Sequence, residues 1–157
     1  MKGKSFRWLV VGAGREEYEA RLRLQTESLG MNRDVLMADA LFPALPVYRI
    51  ASVVVMPSEN EAFGMVLAEA SAFGVPVIAS ETGGIPDVIQ NNVTGTLLPV
   101  GDVSAWTSTL SDFLSRPERF RMMAASARED IEYRFDINRT AQTIVSLAYQ
   151  AKGKRQR

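Results

Sequence analysis

The segment ASVVVMPSENEAFGMVLAEASAFGVPVIAS, residues 51–80, contains two strand signals with one helix signal between them. Ala51 to Met56 is uniformly apolar and rich in β-branched valine, the composition of a strand covered on both faces, and Pro57 ends it. Met65 to Phe73 reads as a helix closed by Gly74, with Val66, Leu67, Ala70 and Phe73 as its packing residues. Val75 to Ser80 is a second buried strand, with Pro76 near its first residue, where a missing N–H donor is tolerated. Strand, helix, strand in this order implies two parallel strands joined by a helical crossover.

The pattern extends in both directions. Phe6 to Val11 is a short apolar strand ended by Gly12 and Gly14. A helix from Glu16 to Leu29 follows, with Gly30 as its stop, then a strand at Val35 to Met37 and a short helix at Pro43 to Ile50. Downstream, a Gly83-Gly84 loop leads to a short helix at Ile85 to Ile89, and Thr96 to Leu98 makes a last strand. From Ser104 to Ala151 the chain is helical, with breaks at Pro117 and at Asp136, which has the character of an N-cap. The predicted fold is α/β: a Rossmann-like parallel sheet with helices on both faces, in one domain over residues 1–151, followed by an unstructured basic tail over 152–157. Ligands of such sheets gather at the carboxyl ends of the strands, and Gly12, Gly64 and Gly83 all follow strands.

Composition narrows the chemistry. The 157 residues carry 18 basic and 18 acidic side chains, so no net field steers the molecule to nucleic acid. There is no cysteine and no histidine, which excludes thiolate and imidazole catalysis and histidine metal ligation within these residues. Neither a signal-peptide core nor an apolar run long enough to span a bilayer is visible, so a cytoplasmic location is expected. The tail residues Lys152, Lys154, Arg155 and Arg157 read as a solubilising terminus, with contact to anionic lipid at the inner membrane face as the alternative.

Two acids stand out. Glu61 lies in the loop after a strand, and Glu69 follows eight positions later inside an otherwise apolar helix. Helical rise places Glu69 only about 8 Å beyond the glycine that opens the helix. Side chains lean toward the helix N-terminus, so its carboxylate points back toward the loop holding Glu61. The same small volume is faced by the amides of Phe63, Gly64 and Met65, a start-of-helix site for anionic oxygens. Carboxylates accept from vicinal hydroxyls and amides donate to phosphate, so a sugar joined to a diphosphate meets both demands. On spacing alone, a solvent-facing helix acid and an ordinary loop charge account for the pair as well.

The ordered series Pro57-Ser58, Glu61-x-Phe63-Gly64, Glu69-Ala70, Gly74-x-Pro76-Val77, Gly83-Gly84-x-Pro86 and Thr94-Gly95 resembles the C-terminal, donor-binding domain of retaining GT-B glycosyltransferases of family 4 (group 1). The Glu61 and Glu69 pair matches that family's E-x7-E motif, and the similarity runs from the Gly12-Ala13-Gly14 turn to the terminal helices. The resemblance implies that Glu69 holds the ribose hydroxyls of a nucleotide-sugar such as a UDP-sugar, and that Glu61, the catalytic candidate, holds those of the transferred hexose. It implies that Phe63, Gly64 and Met65 offer amides to the sugar and distal phosphate, and that Gly12 and Gly14 line the cleft near the donor. Gly83 and Gly84 are expected to fix a turn rather than touch ligand. No metal or other cofactor is expected, because helix-start amides and upstream cations take the metal's role. An Arg and a Lys usually precede the first glycine turn in the family, and Lys2 and Lys4 do not match them. The expected partner is a saccharide or lipid-linked acceptor, as in polysaccharide biosynthesis, held by an N-terminal domain absent from this sequence. This chain alone is therefore expected to be inactive. The helix over 137–151 would pack on that domain, and its uncovered face would favour a homodimer.

Three rivals carry less of the sequence. A dinucleotide-binding oxidoreductase needs a third glycine where Glu17 stands, and Glu16 and Glu17 would repel a pyrophosphate. A non-catalytic nucleotide-sugar-binding or regulatory module of the same fold, and a nucleotide-sugar epimerase, are the remaining alternatives.

Overall fold

The computed structural model describes residues 6–154, with side-chain surroundings to residue 151. The described residues divide into two compact units, one up to Val47 and one from Tyr48. In the first, β1 (Trp8–Val11) pairs in parallel with β2 (Val35–Ala38) through the crossover helix α1 (Glu16–Ser28), with Trp8 opposite Val35 and Val11 opposite Ala38. Leu9 and Val10 of β1 stay about two-fifths exposed, so this strand is less covered than its apolar run implied.

Helix α2 (Leu45–Ile50) begins in the first unit and ends in the second, which continues with β3 (Val54–Met56), α3 (Met65–Ala72), β4 (Val77–Ser80), α4 (Ile85–Val88) and β5 (Thr96–Leu98). Three longer helices complete it: α5 (Val103–Ser115), α6 (Pro117–Arg134) and α7 (Ile137–Lys154). The strands run parallel in the order β3-β4-β5, with Val54 opposite Val77 and Ile78 opposite Thr96. The α/β architecture with parallel strands and helical crossovers is thus the one the sequence implies. Strand β3 is shorter than Ala51–Met56, and α2 begins at Leu45 rather than Pro43.

Every residue of β4 is buried, as expected of a central strand with helices on either side. Ile78, Leu98, Phe120 and Met123 form the core, and Trp106, Leu110 and Phe113 pack against it. Phe113 and Phe120 meet edge to face at 5.4 Å, a geometry that adds to the roughly 1.5–3 kcal/mol of burying each large side chain.

Helix ends follow local chemistry. Gly74, with φ +69°, closes α3 in a Schellman arrangement: its amide donates to Ser71 O and that of Val75 donates to Ala70 O. Asp102 caps α5 by accepting from the Ala105 amide at 2.9 Å, and Asp136 caps α7 by accepting from Arg139 at 2.8 Å. Pro117 occupies the first turn of α6, so the break there is a helix start rather than a kink. Helix α7 runs on to Lys154, past the boundary set at Ala151, while residues 155–157 of the basic tail lie outside the described residues. Its Ile144, Val145, Leu147 and Tyr149 are all exposed.

Candidate functional site

The loop from Pro57 to Gly64 joins β3 to α3, and its far side is braced by the Gly83-Gly84 turn. Thr82 Oγ1 donates to Glu59 O at 3.1 Å, and the Gly84 amide donates to Glu61 O at 3.1 Å. A Cβ on Gly83 or Gly84 would fall on the carbonyl oxygens of Glu61 and Ala62, so only glycine permits this approach of two backbones. These glycines support the acidic loop, in keeping with their reading as turn formers.

Gly64 has φ +92° and ψ 45°, a left-handed conformation that turns the chain into α3. The Phe63 and Gly64 amides point at the Glu61 carboxylate: Oε1 accepts from Phe63 at 3.3 Å and from Gly64 at 3.2 Å. The sequence reading left these amides open to a ligand. In the folded chain Glu61 takes them itself, because a side chain two residues upstream can curl back onto the helix start. Its Oε2 has no hydrogen-bond partner among the described residues.

Glu69 lies on the outer side of α3 and is exposed. Its Oε2 accepts from the Tyr48 hydroxyl at 2.7 Å. Tyr48 comes from α2, is 4% exposed, and packs on Phe73 at 5.7 Å between ring centres. Burial first, then the hydrogen bond and the charge of Glu69, push the Tyr48 phenol well above its ordinary value, so it stays a donor. Nothing in the local spacing marked Tyr48, which precedes Glu69 by 21 residues.

The other named residues divide. Leu67 and Ala70 of α3 are fully buried, whereas Met65, Val66 and Phe73 are exposed, so only the first pair is core. Phe63 packs edge to face on Phe135 at 5.5 Å, tying the loop to the end of α6. Gly12 and Gly14 belong to the first unit. The Gly12 amide donates to Ala38 O at 3.2 Å, and the Gly14 amide donates to Glu19 Oε1 at 2.9 Å. Among the described residues, no three His, Cys, Asp or Glu side chains gather as a metal site, and no helix is long and apolar enough to cross a membrane. The arrangement offers two acceptor-only carboxylates, Glu61 in the loop before α3 and Glu69 on that helix, each with one oxygen held by the protein. Such groups suit hydroxyl donors.

The chain is similar to known proteins. D-inositol 3-phosphate glycosyltransferase of Saccharomonospora viridis is 39% identical over 105 residues, covering 67% of this chain and 24% of that protein. The enzyme of the same name from Corynebacterium jeikeium is 43% identical over 104 residues, covering 63% and 24%. The chain thus spans about a quarter of the length of these relatives. Among solved structures, Anabaena HepE in complex with UDP-glucose superposes with a TM-score of 0.85 at 23% identity, over 92% of this chain and 41% of that one. Sucrose-phosphate synthase from Thermosynechococcus elongatus gives a TM-score of 0.82 at 27% identity, over 93% and 38%. The fold is that of GT-B glycosyltransferases. The family described as glycosyl transferases group 1 matches residues 2–130, and this chain belongs to it.

Proposed function

We propose that this chain is the donor-binding domain of a retaining glycosyltransferase that moves a hexose from a nucleoside-diphosphate sugar to a saccharide or lipid-linked acceptor. The observation that carries the reading is the exposed Glu69 carboxylate, held at Oε2 by Tyr48 and without a partner at Oε1 among the described residues. An ionised acid so placed accepts from a vicinal diol, and ribose supplies one. Glu61, fixed by the Phe63 and Gly64 amides, keeps Oε2 for hydroxyls of the transferred sugar. The two amides act on this reading through Glu61 rather than on phosphate. Two relatives named D-inositol 3-phosphate glycosyltransferase support glycosyl transfer, and a neighbour solved with UDP-glucose supports the donor class. The exposed apolar residues of α7 would be covered by the remainder of a longer protein, which also holds the acceptor. Binding needs no metal.

Calorimetric titration of the chain with UDP-, GDP- and ADP-glucose and the bare diphosphates tests this. At least one base binds, a chelator leaves the affinity unchanged, and Glu69→Ala weakens every nucleoside diphosphate by about 1.5–3 kcal/mol, the range for a hydrogen bond to a charged group. Equal binding by wild type and Glu69→Ala rejects the assignment.

A further inference from the structure

The contact between Tyr48 and Glu69 joins a buried phenol to an exposed acid. A glutamate at the surface samples many rotamers, and a ligand that needs one of them must first select it. Here the acid has a fixed neighbour: the hydroxyl of Tyr48 lies 2.7 Å from Oε2. The neighbour is itself fixed, because Tyr48 is 4% exposed and its ring lies 5.7 Å from that of Phe73, one turn beyond Glu69 at the C-cap of α3. Glu69 and Phe73 share one side of the helix, so a single aromatic side chain spans both. Oε1 has no partner among the described residues.

We propose that Tyr48 is a positioning residue for nucleotide recognition: its hydroxyl holds Oε2 of Glu69 so that Oε1 is presented to a vicinal diol. The inference rests on the reading of Glu69 as a diol acceptor. Tyr48 touches no ligand atom on this account. It sets the acid before the ligand arrives, which raises selectivity for ribose over deoxyribose rather than affinity for the nucleotide as a whole. Burial of the phenol keeps it protonated and therefore able to donate across the neutral range.

The test compares ribonucleoside diphosphates (UDP, GDP, ADP) with their 2′-deoxy counterparts by calorimetry on the full chain. Wild type prefers the ribose form by about tenfold, the loss of one hydrogen bond to a charged acceptor. Tyr48→Phe keeps the ring on Phe73 and removes one oxygen, and thermal unfolding verifies that it folds. In this variant the preference falls to about threefold or less. Glu69→Ala abolishes it, and adding Tyr48→Phe to Glu69→Ala changes the ratio no further. If Tyr48→Phe lowers both affinities together and keeps the wild-type ratio, the residue is merely structural and the inference fails while Glu69 keeps its role. If wild type shows no ribose preference, or Glu69→Ala retains it, the reading of Glu69 falls and takes this inference with it.

Discussion

Oε1 of Glu61 accepts from the backbone amides of Phe63 and Gly64, 3.3 and 3.2 Å away, so the start of α3 holds a carboxylate from its own chain. Hydrogen bonds to an ionised oxygen are stronger than neutral ones, and a negative charge at a helix start also meets the positive end of the peptide dipoles. Glu61→Ala therefore lowers stability by about 1 kcal/mol, the usual loss when a helix-start acceptor is removed. Urea unfolding reads this directly, and Glu61→Gln, which keeps one acceptor oxygen, loses less.

The glycine brace has a sharper signature. Gly84 has φ −85°, a conformation open to any residue, yet a Cβ there would fall on Ala62 O. Gly84→Ala is expected to cost about 1–3 kcal/mol through overpacking and to weaken donor binding by displacing the acidic loop. Gly101 has φ +74° and open space around it. Gly101→Ala costs about 1–2 kcal/mol through the left-handed backbone alone and leaves binding intact. Equal binding losses in the two variants would contradict a supporting role for the Gly83-Gly84 turn.

Much of this was legible because its causes are local. Pro57, Gly74 and Asp136 act on their immediate neighbours, and the apolar runs at Val77–Ser80 and Thr96–Leu98 need only their own composition to be recognised as buried strands. The features that shape the acids come from farther away. Tyr48 reaches Glu69 across 21 residues, and the Gly84 amide reaches the Glu61 carbonyl from the next strand's loop. The curl of Glu61 onto its own amides is short in sequence but competes with an equally reasonable open helix start, and spacing does not rank the two. The exposure of Val66 and Phe73 escaped the apolar pattern because a helix as uniformly hydrophobic as α3 does not show which side faces the core.

Arg134 is a structural residue that no motif announced. Its guanidinium donates to Asp87 O and Val88 O, both at 2.7 Å, pairs with Asp130 at 2.6 Å, and lies 4.9 Å from the Phe135 ring centre. It satisfies carbonyls at the end of α4 from the end of α6. Arg134→Ala is expected to cost about 1.5 kcal/mol, the lower part of the range for charged hydrogen bonds, since the group is partly exposed. Arg134→Lys recovers only part of that, because an ammonium lacks the fork that spans both carbonyls.

The raised phenol of Tyr48 gives stability a dependence on alkaline pH. Desolvation is the first cause and the hydrogen bond to Glu69 the second, and both favour the protonated form in the folded chain. The contribution is complete below the ordinary phenol value near pH 10 and is lost as pH rises above it, with a slope no steeper than about 1.4 kcal/mol per pH unit. Denaturant unfolding between pH 9 and pH 11 should show this extra decline in wild type and a shallower one in Tyr48→Phe.

The most direct measurement is the ratio of affinities for a nucleoside-diphosphate sugar and its bare diphosphate, taken in wild type and in Glu61→Ala. Any general loosening of the loop affects both ligands and cancels in the ratio. If Glu61 accepts from the transferred sugar, the variant loses about tenfold or more of the sugar-bearing ligand's advantage. A ratio identical to wild type would show that this acid serves the helix start alone.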